Sequence, residues 1–249
     1  MQLIAANVDT AFVVTSCNQD FNVARLERYV ALAFEAEVTP VMRSTKPDLC
    51  KDVGSFVQEA SNISQQVLAL ALNALGDEPQ TKLRDWCKSR QTIAFLESSG
   101  VGKSTLANAL SDEQSVETTV IREDGAKGRH TTTRRQLHFL QNGCAVLDTP
   151  GTRELQLSDA QDGIAKVSDD IAALANRCRF SDCTHETEPG CAIQNAVKRG
   201  DITPDRLARW NKLVADERFN SASLAERKSD HKALHKMIRA VQKQPKVRQ

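Results

Sequence analysis

The feature that most restricts this chain lies near its middle, where the apolar stretch TIAFLE (Thr92–Glu97) runs directly into SSGVGKST (Ser98 to Thr105) and a helical pattern follows. A loop between a buried strand and a helix N-terminus aims several backbone N–H groups and the positive end of the helix dipole at one point, which suits a phosphate. Ser98, Ser99, Gly100, Val101 and Gly102 form the cradle, and the two glycines let the main chain approach closely. Lys103 reaches the β and γ phosphates, Ser104 offers its hydroxyl to Mg²⁺, and Thr105 completes the motif. Such motifs ordinarily open with glycine, and Glu97 stands there instead. A carboxylate roughly 6 Å from a phosphate charge, at an effective dielectric of roughly 20, costs about 2–3 kcal/mol if it faces the ligand.

The residues before the loop alternate apolar runs with amphipathic stretches, the rhythm of βα units around a parallel sheet. AFVVTS, TPVMRS and VLALALNA predict strands, and the stretches 22–36, 52–60, 82–88 and 103–110 predict helices. In the first of these, Val23, Leu26, Tyr29, Val30 and Ala33 recur at helical spacing. RRQLHFL and CAVLDT predict two more strands joined through Gln141-Asn142-Gly143, an Asn-Gly hairpin signal. Beyond Gly151 the strand signals cease and the chain becomes helical and charged. The expected division is a nucleotide domain over 1–160 and a helical domain over 161–249, whose segment past Arg227 is a basic tail.

A net charge of only +1 over 249 residues means that any attraction to nucleic acid must come from local clusters. No apolar run is long enough to span a bilayer, and MQLIAANVDT lacks the features of a signal peptide, so a cytoplasmic protein without a membrane partner is expected.

Three further motifs give the loop its context. Asp148-Thr149-Pro150-Gly151 ends the strand CAVLDT, where Asp148 can hold Mg²⁺ through water and the Gly151 N–H can meet the γ-phosphate. GRHTTT (Gly128 to Thr133) lies between the two, in the place of a switch loop that supplies a threonine to Mg²⁺. Thr131, Thr132 and Thr133 are the candidates, and Thr132 is favoured. Guanine recognition ordinarily uses an [NT]KxD motif downstream of the DxxG glycine. Here it occurs upstream, as Thr45-Lys46-Pro47-Asp48 after TPVMRS, and the next strand ends in Asn73-Ala74-Leu75, similar to a loop that backs the base. The base-recognition half therefore precedes the phosphate half, which makes this a circularly permuted P-loop GTPase-type α/β domain. Pro47 restricts Lys46 to extended backbone.

Cys178, Cys183, His185 and Cys191 follow the pattern C-x4-C-x-H-x5-C. Three thiolates and an imidazole satisfy tetrahedral Zn²⁺, and a full protein shell implies one structural ion that supplies folding energy to a segment with little core. Cys17, Cys50, Cys87 and Cys144 are scattered at mostly apolar positions and read as ordinary thiols.

Permuted motif order, GRHTTT, DTPG followed by Thr152-Arg153-Glu154-Leu155, and CRFSDCTHETEPGC together resemble the RsgA (YjeQ) family of small-subunit-dependent GTPases. The resemblance implies GTP and GDP binding, GTP hydrolysis stimulated by the 30S subunit, a part in late maturation of that subunit, and contact with 16S rRNA, by a monomer. It implies Thr45, Lys46 and Asp48 for guanine and all four Cys/His residues for zinc. Classical GTPases orient water with a Gln directly after DxxG; Thr152 stands there, which leaves His130 as the candidate water-positioning residue. The family ordinarily begins with an OB-type barrel; this chain starts after it, so the resemblance implies weakened ribosome affinity or an incomplete sequence. It also implies glycine where Glu37 and Arg90 stand. Two other readings stay open: a catalytically weakened nucleotide- and rRNA-binding module, and an ATPase in which Thr45-Lys46-Pro47-Asp48 is idle.

Overall fold

The computed structural model describes residues 5–75, 77–97, 103–111, 136–148 and 156–222. Its centre is a six-stranded sheet: β1 (Thr10–Ser16), β2 (Thr39–Thr45), β3 (Leu68–Ala71), β4 (Thr92–Glu97), β5 (Gln136–Phe139) and β6 (Ala145–Asp148), in the spatial order β3-β2-β1-β4-β6-β5. Every pairing is parallel except β5 with β6, which form the antiparallel pair expected of the Asn-Gly turn. Gly143 there takes φ of +80°, the left-handed residue that closes a three-residue loop (Gln141 to Gly143), with the Leu140 N–H on Cys144 O at 2.8 Å and the Gly143 N–H on Leu140 O at 2.9 Å.

Parallel strands covered on both faces should bury both sets of alternating side chains, and β1 does so. Ala11 and Val13 enter one core with Leu26, Val30, Met42, Leu96 and Ile164, while Phe12 and Val14 enter a second with Ile93, Phe95, Leu106 and Val146. The first core lies under α1 (Val23–Glu35), the second under α4 (Lys103–Ser111). Asn22 caps α1 by accepting the Arg25 N–H at 2.9 Å, replacing a bond the first turn cannot make internally. Helices α5 (Gln161–Val167), α6 (Asp169–Ala175), α7 (Ala192–Arg199) and α8 (Pro204–Ser221) follow β6. A third, smaller core of Ile171, Cys191, Ile193, Ala196, Ile202 and Leu207 holds the later helices together. Among the described residues, no helix is long and apolar enough to cross a membrane.

Two elements depart from the sequence reading. The helix expected at 82–88 lies earlier, as α3 (Glu78–Lys82), with turns over 83–87. Pro79 starts a helix well but the continuation is sacrificed, because the fully buried Leu83 and the Cys87 thiol must both enter the second core. The third strand is shorter than VLALALNA: after Ala71 the chain leaves the ladder, the Leu72 N–H alone still reaching Ser44 O at 3.0 Å, and turns through Asn73. The other expected helix before the loop appears as α2 (Val53–Ser61).

Candidate functional site

Sheet register brings the candidate residues to one edge. Ser16 lies opposite Thr45, Ser44 opposite Ala71, and Val14 opposite Glu97, so β1, β2, β3 and β4 all end together at their carboxyl ends. From β1 the chain moves outward to β2 and β3, whereas from β4 it moves the other way to β6 and β5. The order thus reverses between β1 and β4, and ligands of open α/β sheets bind in the crevice outside such a reversal. Glu97 ends β4 beside that crevice, and Lys103 and Ser104 open α4 six and seven residues on. Ser98, Ser99, Gly100, Val101 and Gly102 lie outside the described residues, as do His130, Thr131, Thr132, Thr133 and Gly151. Thr105 is half-buried in α4. Asp148, the last residue of β6, is fully buried.

The candidate guanine loop is built from two strand ends. Thr45 is buried, its Oγ1 donates to Thr15 O at 3.1 Å, and its own carbonyl accepts the Cys17 N–H at 3.0 Å, so the loop starts from a fixed point on β1. Pro47 to Leu49 form a single 3-10 turn that leaves Asp48 exposed. Lys46 corrects the sequence reading: it is left-handed, at φ 57° and ψ 44°, not extended. Pro47 excludes the right-handed helical region for its predecessor, and a strand that must reverse at once into a 3-10 turn takes the remaining compact conformation.

Behind this loop sits a device absent from the motif reading. The Asn73 N–H donates to Glu78 Oε2 at 2.9 Å, and the Asn73 side chain accepts the Leu75 N–H at 3.0 Å. Lys82 Nζ reaches Glu78 Oε2 at 2.9 Å and Ala71 O at 3.2 Å. Lys82, and then the Asn73 amide, hold the Glu78 carboxyl below its ordinary range. The i,i+4 spacing of Glu78 and Lys82 was the available sequence signal, and it says nothing of the loop the pair grips. Arg43 on β2 had no signal at all. Its side chain is completely buried, with the guanidinium 4.6 Å from the Trp86 ring centroid and 5.3 Å from that of Phe12, and burial pushes its pKa down to about 10.

In the helical region, Cys178, Cys183, His185 and Cys191 converge, all four ligand atoms lying within 4.8 Å of one another. Cys178 Sγ and Cys191 Sγ are 3.9 Å apart, and each is 3.6 Å from His185 Nδ1. The edge of a tetrahedron around an ion with bonds of about 2.3 Å is about 3.8 Å, so the donor set and its spacing fit a tetrahedral metal site. Glu188 latches the intervening loop, accepting the backbone N–H groups of Thr184, Glu186 and Thr187 at 2.7, 3.0 and 3.1 Å. The Thr184 hydroxyl, which also donates to this carboxylate, and then the backbone N–H groups of Thr184 and Glu186 hold it down at about 2. Gln194 Nε2 donates to His185 O at 2.6 Å, and the Trp210 ring lies 5.7 Å from the imidazole.

The pattern of one protein family matches residues 1–158, that of the RsgA GTPases. The chain belongs to this family. An RsgA 2 protein of Vibrio parahaemolyticus, described as a small ribosomal subunit biogenesis GTPase, is 47% identical over 248 residues, covering 100% of this chain and 69% of its own length. An RsgA of Mesorhizobium japonicum with the same description is 51% identical over 223 residues, 88% of this chain and 64% of its own. Among solved structures, YjeQ from Thermotoga maritima superposes with a TM-score of 0.60 at 28% identity, over 83% of this chain and 70% of that one. YloQ, described as a circularly permuted GTPase, gives the same TM-score at 25% identity, over 87% and 70%. The RsgA assignment agrees with the strand order, in which the strands of the candidate guanine loop precede that of the candidate phosphate loop, and with the helical region carrying the Cys₃His cluster.

Proposed function

We propose that this chain binds GTP at the carboxyl edge of its sheet, hydrolyses it, and acts in late maturation of the small ribosomal subunit in contact with 16S rRNA. The observation that carries the reading is the permuted order itself. Strand ends at Thr45 and Ala71, expected to recognise the base, come first in the chain and yet lie at the same sheet edge as Glu97, where the phosphate loop begins. Membership of the RsgA family and the small-subunit names of its relatives support the biological setting.

In this reading Asp48 pairs with the guanine edge while the Lys46 stem packs on its ring, and Asn73 and Ala74 back the base. Lys103 neutralises charge that builds on the transferred phosphoryl group, the largest contribution a protein makes to this chemistry. Ser104, Thr132 and Asp148 are the residues that would hold Mg²⁺, which would supply further charge neutralisation at the phosphates. His130 positions water. Cys178, Cys183, His185 and Cys191 would hold one structural Zn²⁺, and the division between a nucleotide domain and a helical domain falls near residue 160.

A second reading, a nucleotide-binding module with weakened catalysis, is favoured by one specific observation: Glu37 and Arg90 occupy left-handed backbone at φ 56° and 66°, where the family resemblance implies glycine, and Glu97 replaces the first glycine of the phosphate loop. A single set of assays separates the two. GTP turnover is measured with and without 30S subunits, for the chain as it is and for Glu97→Gly, with ATP as competitor. Subunit-stimulated turnover that ATP does not suppress supports the GTPase. Turnover only in Glu97→Gly supports the weakened module, and equal competition by ATP overturns guanine recognition.

A further inference from the structure

Helices α1 and α8, about 180 residues apart in sequence, meet along a cleft of about 370 Å³ whose described lining includes none of the residues assigned to the nucleotide. Arg25 and Arg28 face it from α1, Arg209 and Lys212 from α8, and Asp216 is the one carboxylate among its described lining residues. The cations are not all neutralised. Arg28 pairs with Asp216, while Arg209 Nε donates to both oxygens of the buried Glu27 at 3.0 and 3.1 Å. Arg206 approaches Glu27 at 3.5 Å but is itself engaged by Asp170 at 2.8 Å. Among the described lining residues, then, four cations (Arg25, Arg28, Arg209, Lys212) meet one carboxylate (Asp216), and the buried Glu27 takes a second cation, Arg209.

The surplus of two sits on particular side chains. The Arg25 guanidinium donates to the Asp20 carbonyl, a neutral acceptor that fixes its direction and leaves its charge. Lys212 is exposed, and no ion pair of its ammonium is found among the described residues. Guanidinia held by carboxylates and carbonyls lose little freedom when a phosphate arrives, which is the arrangement that arginine forks favour. Among the described lining residues the only aromatic side chain, Tyr29, is 2% exposed and offers no face for a base to stack on. A ligand here would therefore be held by its backbone phosphates and not read by sequence.

We propose that the α1–α8 cleft is a binding site for the phosphodiester backbone of RNA, with Arg25 and Lys212 as the contacting cations. This rests on the small-subunit reading above, which supplies RNA as the polyanion. Because α1 covers the sheet and α8 contributes to both the first core and the third, RNA in the cleft contacts the helix that joins the two parts of the chain.

The test is salt-dependent binding of the full chain to deproteinised 16S rRNA and to intact 30S subunits, comparing Arg25→Gln/Lys212→Gln with the charge-preserving Arg25→Lys/Lys212→Arg. Each phosphate contact on single-stranded RNA contributes about 0.7 to the slope of log Kd against log salt. The neutral variant should thus lose about 1.4 of slope and, at 0.1 M salt, bind about 25-fold more weakly (two factors of 10^0.7), with the conservative pair close to wild type. Unchanged slope and affinity in a neutral variant that retains the wild-type melting temperature overturns the cleft. Loss on the subunit without loss on naked rRNA also overturns it, in favour of an acidic protein surface. If the wild-type chain binds neither particle, the small-subunit reading itself fails and the cleft goes with it.

Discussion

Glu37 sits where a helix most often asks for glycine, and replacing it should make the protein more stable. Helix α1 ends in two characteristic bonds: the Glu37 N–H donates to Phe34 O at 3.1 Å and the Val38 N–H to Ala33 O at 2.9 Å. With Ala36 as the capping residue, these are the two bonds of a Schellman motif, which puts Glu37 at the left-handed position, at φ 56°. A side chain there costs about 1–2 kcal/mol, against which glycine loses about 0.5–1 kcal/mol of extra chain entropy on folding. The net gain for Glu37→Gly is about 0.5–1 kcal/mol, and removing a carboxylate from the negative end of the helix dipole adds about 0.3 kcal/mol. Arg90, at φ 66° with its N–H on Gly143 O, should behave likewise without the dipole contribution. For a chain of this size 1 kcal/mol moves Tm by about 2–4 °C, so the double glycine variant should melt about 3–9 °C higher in calorimetry. Glu37→Ala separates the causes, since it removes the charge but keeps the β-carbon in left-handed backbone. If Glu37→Gly melts no higher than Glu37→Ala, strain is not what this position stores and the argument is wrong.

Gly163 in α5 should tolerate no side chain: a β-carbon there would sit 2.0 Å from Ala31 O, about 1.4 Å inside ordinary contact, and Gly163→Ala should cost about 3 kcal/mol or more, read as a lower urea midpoint. Glu78→Gln keeps the side-chain length but removes the charge that Lys82 and the Asn73 amide grip, so GTP affinity should fall about threefold to tenfold with little change in turnover at saturation; a fall in kcat with unchanged KM would place Glu78 elsewhere in the mechanism. Chelation should unfold the segment around Cys178 to Cys191 and change Trp210 fluorescence, because His185 packs against that ring; an identical spectrum in EDTA would mean that no ion organises this cluster.

What the sequence made legible was what local chemistry carries. The strand-loop-helix run at Thr92 to Leu110, the Asn-Gly hairpin and the cysteine spacing each state their structure within a few residues, and the three cysteines and His185 do converge. Positions where glycine was expected, Glu37 and Arg90, carry the backbone that explains the expectation. Illegible were the long-range pairings. Arg43 reads as an ordinary polar residue on a strand, and only the arrival of Trp86 and Phe12 turns it into a buried guanidinium between rings. Glu27 on an amphipathic helix reads as a solvent-facing charge, yet its side chain is only 4% exposed because Arg206 and Arg209 come to it from α8. The helix at 78–82 was misplaced for a related reason: the burial of Leu83 and Cys87 decides where it stops, and that burial depends on the opposite side of the core.

The same pairings explain how a small metal segment can be held firmly against a nucleotide-binding sheet. Burial raises the Glu27 pKa even though Arg209 and Arg206 pull it down, so this ion network costs desolvation and contributes orientation more than net stability. Apolar contact supplies the adhesion. Leu213 of α8 enters the first core, and Trp210 touches both that core and the third one, with the His185 imidazole on its ring. An ion bound by His185 and the three cysteines would therefore fix the residue against which Trp210 packs, and Trp210 would in turn set how α8 meets α1. Arg209 and Lys212 lie further along that helix, in the lining of the cleft, so an ion held at the cluster would govern the shape of the cleft without touching it.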